Sequence, residues 1–284
     1  MRRKPVGSKW YARLLLYLIL VAGAVAFMVP FFWMISVSIK NPGNLAKYPI
    51  EFWPAKPEWN NYLEVWRRAD VPRYMLNSTF LSTMTAFLTV ITSSLAAYGF
   101  ARHRVRIKNF FFTIVLATMM IPGMVTMIPQ FVIFYRLGFL NTYWPWVVWG
   151  LSTNGFLIFL MRQFFSTIPM ELEDAATIDG CSRVRTFFAI FLPISKPALA
   201  ASFIFCFSWW WGDYLTPSLY LQGNMVPFSV ALIRGLNPPF RPDFAPDTPV
   251  QMAGALYFLT PLIVIFFLAQ KYITQGIVTT GLKG

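Results

Sequence analysis

Histidine and cysteine are scarce in this sequence, and a phosphate-binding loop is absent. The chain of 284 residues has one His, at position 103, and two Cys, Cys181 and Cys206. One imidazole and two distant thiols cannot form a zinc-type metal site, and they leave few groups for a nucleophile–base pair. No GxxxxGK[ST] segment, which would bind nucleotide phosphates, occurs. We therefore expect no enzyme activity in this chain and no cofactor bound by it.

Charged residues are also few. Only 12% of residues are charged and 57% are hydrophobic, whereas soluble domains have about 25% charged residues. Most of the charge-free intervals reach the roughly 20 residues that a membrane-crossing helix needs. The shortest of them, 197–212, continues past Asp213 to Leu221. The alternation typical of membrane β-strands is missing. The sequence predicts an all-α membrane protein whose transmembrane domain covers 14–270, with six spans near 14–38, 75–100, 110–134, 144–161, 198–220 and 250–270.

Basic residues near the span ends predict the orientation. The short loop RHRVRIK at 102–108 contains no acid, and such loops face the cytosol. We therefore expect a cytosolic N-terminus (1–13), a cytosolic loop (162–196) and a cytosolic tail (271–284). This topology accounts for most of the net charge of +13, and nucleic-acid binding is not expected because no soluble domain carries a basic face. The first span resembles a signal peptide at its start, but its long apolar run favours an uncleaved anchor.

Two outer connections differ in composition. The segment 40–73 is rich in Pro and predicts an extended stretch followed by a short interfacial helix, in which Trp residues mark the headgroup level. A passive linker is the alternative. The segment 222–249 is rich in Pro and Gly and is not expected to form regular helix.

The stretch ELEDAATIDG at 171–180 holds four of the eleven acidic residues. Pro169 suits a first helical turn, negative charge is favoured at a helix N-terminus, and Gly180 is a natural C-terminal stop. A second helix, SRVRTFFAIF, is predicted to end before Pro193. Its apolar positions form one stripe at helical spacing, composed of Val184, Phe187, Phe188 and Phe191. Together these segments predict a helix–turn–helix beside the membrane.

This loop resembles a known motif. Asp174-Ala175-Ala176, then Gly180, then Ile190-x-Leu192-Pro193 is similar to the EAA loop of permease subunits in binding-protein-dependent ABC importers, with Asp174 where the family has Glu. Further segments resemble the smaller permease of maltose-type carbohydrate importers, and they extend the resemblance over nearly the whole chain. They are SLAAYGFAR, MMIPGMVTMIPQF, LGFLNTYW, FLMRQFFSTIP and QKYITQGIVTTGLKG.

The resemblance implies the six-span permease fold called MetI-like, in a prokaryotic inner membrane. It implies a second, larger permease, two copies of a cytosolic ATPase that bind ATP and Mg, an extracytoplasmic solute-binding protein and a sugar substrate. Contacts with the ATPase would come from the tail residues Gln275 and Gly276. The residues implied in coupling to the ATPase are Glu171, Glu173, Asp174, Ala175, Ala176, Asp179, Gly180, Ile190, Leu192 and Pro193.

The residue types of this loop suit a contact with an ATPase subunit. Ala175 and Ala176 are small enough for another backbone to approach closely, and Glu173 and Asp174 offer carboxylates for charge-assisted pairing with Arg. The alternative is that these acids only solvate a cytosolic helix.

A substrate pathway is expected near mid-span. Counting about 1.5 Å of rise per residue places Asn154 and Ser208 near the bilayer centre, beside Trp209 and Trp210, and places Asp213 at the outer interface. Sugars need both polar partners and flat apolar faces. The alternative is that Asn and Ser join helices by hydrogen bonds and that Trp fills space.

Three alternative functions predict different sequence features. An ion-coupled secondary transporter would have repeats and charged residues at mid-span, and an intramembrane enzyme would need a catalytic cluster; the sequence shows neither. An importer of the same class with another cargo, such as glycerol phosphate or a polyol, remains open.

Overall fold

A computed structural model describes residues 10–45, 48–103, 105–236 and 247–281, with side chains on the last helix followed to Leu268. The regular elements in these ranges are helices, so the predicted all-α class is confirmed. Between α9 and α10 the segment Phe187–Phe191 forms a π-helical turn. The helices are α1 (Trp10–Ser38), α2 (Asn60–Arg68), α3 (Val71–Arg102), α4 (Lys108–Thr118), α5 (Gly123–Arg136), α6 (Trp144–Leu151), α7 (Gly155–Thr167), α8 (Glu171–Ile178), α9 (Arg183–Thr186), α10 (Leu192–Ile194), α11 (Lys196–Gly212), α12 (Leu215–Tyr220), α13 (Phe228–Ile233) and α14 (Thr248–Gly281).

Four to six of these elements are long and apolar enough to cross a membrane. Four are single spans: α1, α3, the α6–α7 segment Trp144–Thr167 and the first part of α14. Two more are bent pairs, α4 with α5 at 93° and Arg183–Ile194 with α11 at 81°. The chain is therefore a multi-pass membrane protein.

The long helix α3 lies at the centre, in contact with α6, α7 and α11. Small hydroxyl side chains allow this close packing: Thr85, Thr89 and Ser93 are buried on α3. The Thr92 hydroxyl donates to the Gly150 carbonyl of α6 at 3.0 Å. A Cβ on Gly150 would lie 2.7 Å from the Leu88 Cβ, so the α3–α6 contact requires glycine.

Two predicted spans contain breaks. The third bends between Thr118 and Gly123, which agrees with the Pro-rich sequence there, although Pro129 lies inside α5 without breaking it. The predicted span near 144–161 lies within the candidate span Trp144–Thr167, although its helix is not continuous. The helix is interrupted between α6 and α7, because Thr153 takes a left-handed conformation with φ of 68° and the following residue begins a new helix.

The predicted end of the second loop helix is also wrong, since the helix passes through Pro193 and ends at Ile194. The π-helical turn, closed by the Leu192 N–H on the Phe187 carbonyl, precedes Pro193. The predicted apolar stripe is only partly buried. Phe187 and Phe191 are fully buried, but Val184 is 63% exposed, because only one edge of the stripe contacts the bundle.

The fifth predicted span ends earlier than expected. The helix α11 stops at Gly212, because Asp213 is extended and its carboxylate accepts a hydrogen bond from the Thr216 N–H at 3.1 Å, which starts α12. The predicted span near 198–220 therefore contains two helices, α11 and α12.

The outer connection contains the expected short helix, α2. The Asn61 amide donates to the carbonyls of Ser38 at 2.9 Å and Lys40 at 3.0 Å, which ties α2 to the end of α1. The second connection differs from expectation, since Phe228–Ile233 is helical; these residues precede the Pro-rich stretch, and residues 237–246 lie outside the described ranges.

Candidate functional site

The acidic stretch forms the predicted helix, α8. Its first turn contains Glu171, Glu173 and Asp174. The helix ends in a Schellman motif, in which the Cys181 N–H donates to the Ala176 carbonyl at 2.9 Å and the Gly180 N–H to the Thr177 carbonyl at 3.1 Å. Gly180 has φ of 74°, a conformation that favours glycine, so the predicted stop is confirmed.

The two alanines of α8 differ in exposure. Ala176 is buried against the bundle, whereas Ala175 and Asp174 are exposed. Ile178 is 86% exposed, and Asp179 is exposed beside it. The helix therefore presents a surface with a small residue, an isoleucine and two carboxylates, and only Ala175 of the two alanines is available for close approach by another chain.

Arg102, the last residue of α3, anchors the segment that precedes α8. Its side chain is 4% exposed. The guanidinium donates to the Phe165 carbonyl at 2.8 Å and to the Ile168 carbonyl, at the end of α7. It also contacts the Met170 sulfur at 3.0 Å. One buried side chain thus adds a donor at the end of α7, where the Phe165 carbonyl also accepts from the Ile168 N–H at 3.3 Å.

Arg102 also contacts both helices of the loop. Its Nε lies 3.9 Å from Glu173 Oε2 on α8, and its guanidinium lies 4.9 Å from the centre of the Phe191 ring in the π-helical turn. Sequence reasoning missed this residue. Arg102 begins the basic loop RHRVRIK, and nothing in the pattern distinguishes it from its neighbours.

The second half of the loop packs under the bundle. The Tyr98 ring of α3 lies 5.2 Å from Phe187 and 4.8 Å from Phe191, measured between ring centres. Of the other residues implied in coupling, Ile190 and Leu192 are half-buried and Pro193 is exposed. The tail residues Gln275 and Gly276 fall on the backbone of α14, and their side chains lie outside the described residues.

A cavity of about 570 Å³ opens between α5, the α6–α7 break and the α11–α12 junction. Three of the four residues predicted for the substrate pathway line it: Asn154, Trp209 and Trp210. Ser208 is half-buried and is not among the lining residues. Asp213, which residue counting separated from Asn154, lines the same cavity.

Sequence reasoning also missed Gln130 and Trp149. The Trp149 ring stacks on Trp210, with ring centres 5.7 Å apart and planes inclined by 24°. The Trp149 indole N–H donates to Gln130 Oε1 at 3.2 Å, which fixes the amide with its NH₂ group as a remaining donor. A polar residue within a charge-free interval is the signal that could have identified Gln130.

Asn154 has a structural role. Its side-chain oxygen accepts a hydrogen bond from the Leu157 N–H at 3.2 Å, and its own N–H donates to the Ser93 hydroxyl at 2.9 Å. It therefore caps α7 and joins it to α3, as the alternative interpretation of this residue proposed.

No metal centre is found within the described ranges, since no cluster of three or more His, Cys, Asp or Glu occurs there.

Comparisons with known proteins identify similar sequences. Residues 89–279 match the model of the family "Binding-protein-dependent transport system inner membrane component". The chain is 32% identical over 281 residues to the galactooligosaccharides transport system permease protein GanQ of Bacillus subtilis, covering 96% of this chain and 97% of that protein. It is 30% identical over 265 residues to the melibiose/raffinose/stachyose import permease protein MelC of the same organism, covering 92% and 93%.

A solved structure has the same fold. A chain of a bacterial ABC transporter involved in the import of the acidic polysaccharide alginate matches 96% of this chain and 100% of its own length, with a TM-score of 0.78 and 22% identity.

Proposed function

Since the chain belongs to the family of binding-protein-dependent transport system inner membrane components, we propose that it forms one half of the membrane pathway of a sugar importer. The other half is a second, larger permease. Two copies of a cytosolic ATPase, which bind and hydrolyse ATP with Mg, drive the cycle, and an extracytoplasmic protein delivers the sugar. The chain itself is a transport subunit.

One observation carries the coupling role: the exposed surface of α8, anchored to α3 by Arg102. Asp174, Ala175 and Ile178 are exposed on a helix whose opposite side packs on the bundle. A partner that grips this surface moves α8, and Arg102 transmits the movement to α3 and α7. The remaining coupling residues of the loop, from Glu171 to Pro193, hold α8 in this position.

The proposed topology has six spans with both termini in the cytosol of a prokaryote. It counts each bent helix pair as one crossing. The basic loop 102–108 and the loop 162–196 then lie on the ATPase side, in agreement with the distribution of positive charge. The transmembrane domain covers 14–270, and the tail 271–284, with Gln275 and Gly276, reaches the ATPase.

The proposed cargo is a mono- or oligosaccharide. The names of the two relatives, GanQ and MelC, describe transport of galactooligosaccharides and of melibiose, raffinose and stachyose. The cavity beside Trp209 and Trp210 combines aromatic rings with polar groups, which is the combination that sugar binding requires.

The test is assembly and coupling. The chain is co-expressed with the ATPase, companion permease and binding-protein genes of its own source. We expect co-purification of the ATPase and hydrolysis stimulated by the loaded binding protein. Asp174→Lys reverses a charge on the exposed surface and is expected to abolish stimulation. Glu58→Lys, an exposed acid on the outer connection, serves as the matched control. Full stimulation in the Asp174→Lys complex contradicts the coupling role.

A further inference from the structure

We propose that the cavity between α5, the α6–α7 break and the α11–α12 junction is a binding site for an uncharged carbohydrate, and that it discriminates against anionic ones. This inference rests on the proposed importer function and adds that this subunit itself selects the cargo. The site combines an aromatic platform, an oriented amide and a single carboxylate.

The size and position of the cavity suit an oligosaccharide. Its volume of about 570 Å³ lies within the range of roughly 300–1,000 Å³ for small-molecule sites. It adjoins the α6–α7 break, which falls within the candidate span Trp144–Thr167. Non-helical backbone within a membrane is tolerated where it is buried in protein or lines a water-filled cavity. The break at Ser152 and Thr153, both lining residues, meets this condition.

The platform consists of tryptophans. Trp210 stacks on Trp149, and Trp209 is 47% exposed with its ring 5.8 Å from Phe156. Held by these neighbours, the rings offer flat surfaces to the C–H faces of a sugar at little cost in side-chain entropy, because their rotamers are already restricted.

The polar groups of the cavity suit hydroxyls. Gln130 uses its oxygen to accept from the Trp149 N–H, so its NH₂ group can donate to a sugar oxygen. Asp213 uses Oδ1 to accept from the Thr216 N–H at 3.1 Å, and a carboxylate has further acceptor sites for sugar O–H groups. Donor and acceptor both lie on the cavity wall, as a neutral polyhydroxyl ligand requires.

The charge of the lining disfavours anions. Asp213 is the one charged residue in the described lining, which contains no Lys, Arg or His. A uronate or a phosphate would therefore meet a negative charge without a compensating cation. At an effective dielectric constant of about 20, two like charges ~6 Å apart repel strongly enough to weaken binding by about tenfold or more.

The test measures binding by the purified permease–ATPase complex without its binding protein, so that the selectivity of that protein does not enter. The probes are radiolabelled raffinose, which is neutral, and trigalacturonate, an acidic trisaccharide. Equilibrium dialysis is done on the nucleotide-free and the vanadate-trapped complex. We expect raffinose to bind at least about tenfold more tightly than trigalacturonate in one of these states.

Two variants assign the effect to the cavity. Asp213→Asn removes the charge and keeps a good helix cap, and we expect the ratio of the two affinities to fall about tenfold. Trp210→Ala is expected to weaken raffinose binding about tenfold, within the range for loss of a buried aromatic contact. Trp144→Ala is the matched control, because Trp144 is 57% exposed on α6 and does not line the cavity.

The outcomes separate this inference from the proposed function. Equal affinity for both probes, no raffinose binding in either state, or an unchanged ratio in Asp213→Asn overturns the inference. If the same preparation still co-purifies with the ATPase and shows stimulated hydrolysis, the importer function stands without it. A variant that elutes as an aggregate is replaced by Trp209→Phe and Gln130→Leu, and raffinose binding unchanged in both also overturns the inference.

Discussion

Arg102 Nε lies 3.9 Å from Glu173 Oε2, and this contact joins the last residue of the central helix α3 to the first turn of α8. The Arg102 side chain is 4% exposed and that of Glu173 is 20% exposed. The distance is longer than a hydrogen bond, so the pair acts by charge, while hydrogen bonds to the Phe165 and Ile168 carbonyls hold the guanidinium in place. Arg102 therefore links α8 to α3 across the end of α7.

The first prediction concerns the contacts of Arg102. Arg102→Ala removes the guanidinium that the Ile168 carbonyl and the Glu173 carboxylate face, a loss expected to lower the free energy of unfolding by about 3 kcal/mol. Arg102→Lys keeps the charge, but its single ammonium group cannot replace the separate guanidinium nitrogens that contact the α7 carbonyls (Nη2), the Met170 sulfur (Nη1) and Glu173 (Nε). We expect the Lys complex to assemble and to lose most of its substrate-stimulated ATP hydrolysis, measured as the ratio of stimulated to basal rates.

Arg162→Ala is the matched control for Arg102, because Arg162 stacks on Phe112 at 3.8 Å and does not contact α8 in the described structure. Equal loss of stimulation in both variants would show that removal of any arginine at this end of the bundle has the same effect. The contacts of Arg102 with α7 and α8 would then have no specific role.

The second prediction concerns the end of α8. A Cβ on Gly180 would meet nothing within 4 Å, so substitution acts through the φ of 74° and not through crowding. Gly180→Ala is expected to destabilise the Schellman motif by about 1 kcal/mol, and Gly180→Asn by less, because Asn tolerates the left-handed region. The unfolding temperature of the purified complex should be highest with Gly at position 180, lower with Asn and lowest with Ala. The reverse order of Asn and Ala would contradict a conformational cause.

The third prediction concerns the contact of α3 with α6. Gly150→Ala places a Cβ about 2.7 Å from the Leu88 Cβ, and overpacking of this kind costs about 1–3 kcal/mol. Gly99→Ala on α3 is the control, since nothing lies within 4 Å of its added Cβ. We expect a lower unfolding temperature in detergent for Gly150→Ala alone. Leu88→Gly removes the Cβ that the new methyl group meets, so partial recovery in Gly150→Ala with Leu88→Gly, relative to Leu88→Gly alone, would assign the loss to this pair.

The fourth prediction separates two roles of Asn154. Asn154→Ala removes the cap of α7 and is expected to cost about 1 kcal/mol of stability, whereas Asn154→Asp retains the capping oxygen. If Asn154 acts only as a cap, Asp restores both the unfolding temperature and the apparent transport affinity. Loss of affinity in Asn154→Asp with normal stability would instead indicate a contact with substrate. Ser208→Ala, outside the cavity lining, is expected to leave transport affinity unchanged.

The sequence by itself determined the class of the protein and the position of the helix α8. Charge-free intervals of fixed length identify helices in a membrane, because backbone groups in lipid must be satisfied within each segment. The helix α8 was predictable to within a residue or two, since its acids, its alanines and Gly180 act through contacts a few residues apart.

The tertiary structure decided everything that depends on distant residues. Arg102 contacts the end of α7 because α7 ends beside α3. Asp213 lines the same cavity as Asn154 because α11 stops at Gly212 and the helix is interrupted at Thr153. Residue counting along straight helices misses this proximity, because a single left-handed residue or a capping carboxylate redirects the chain. Local patterns fix the elements, whereas the contacts between them depend on where each helix breaks.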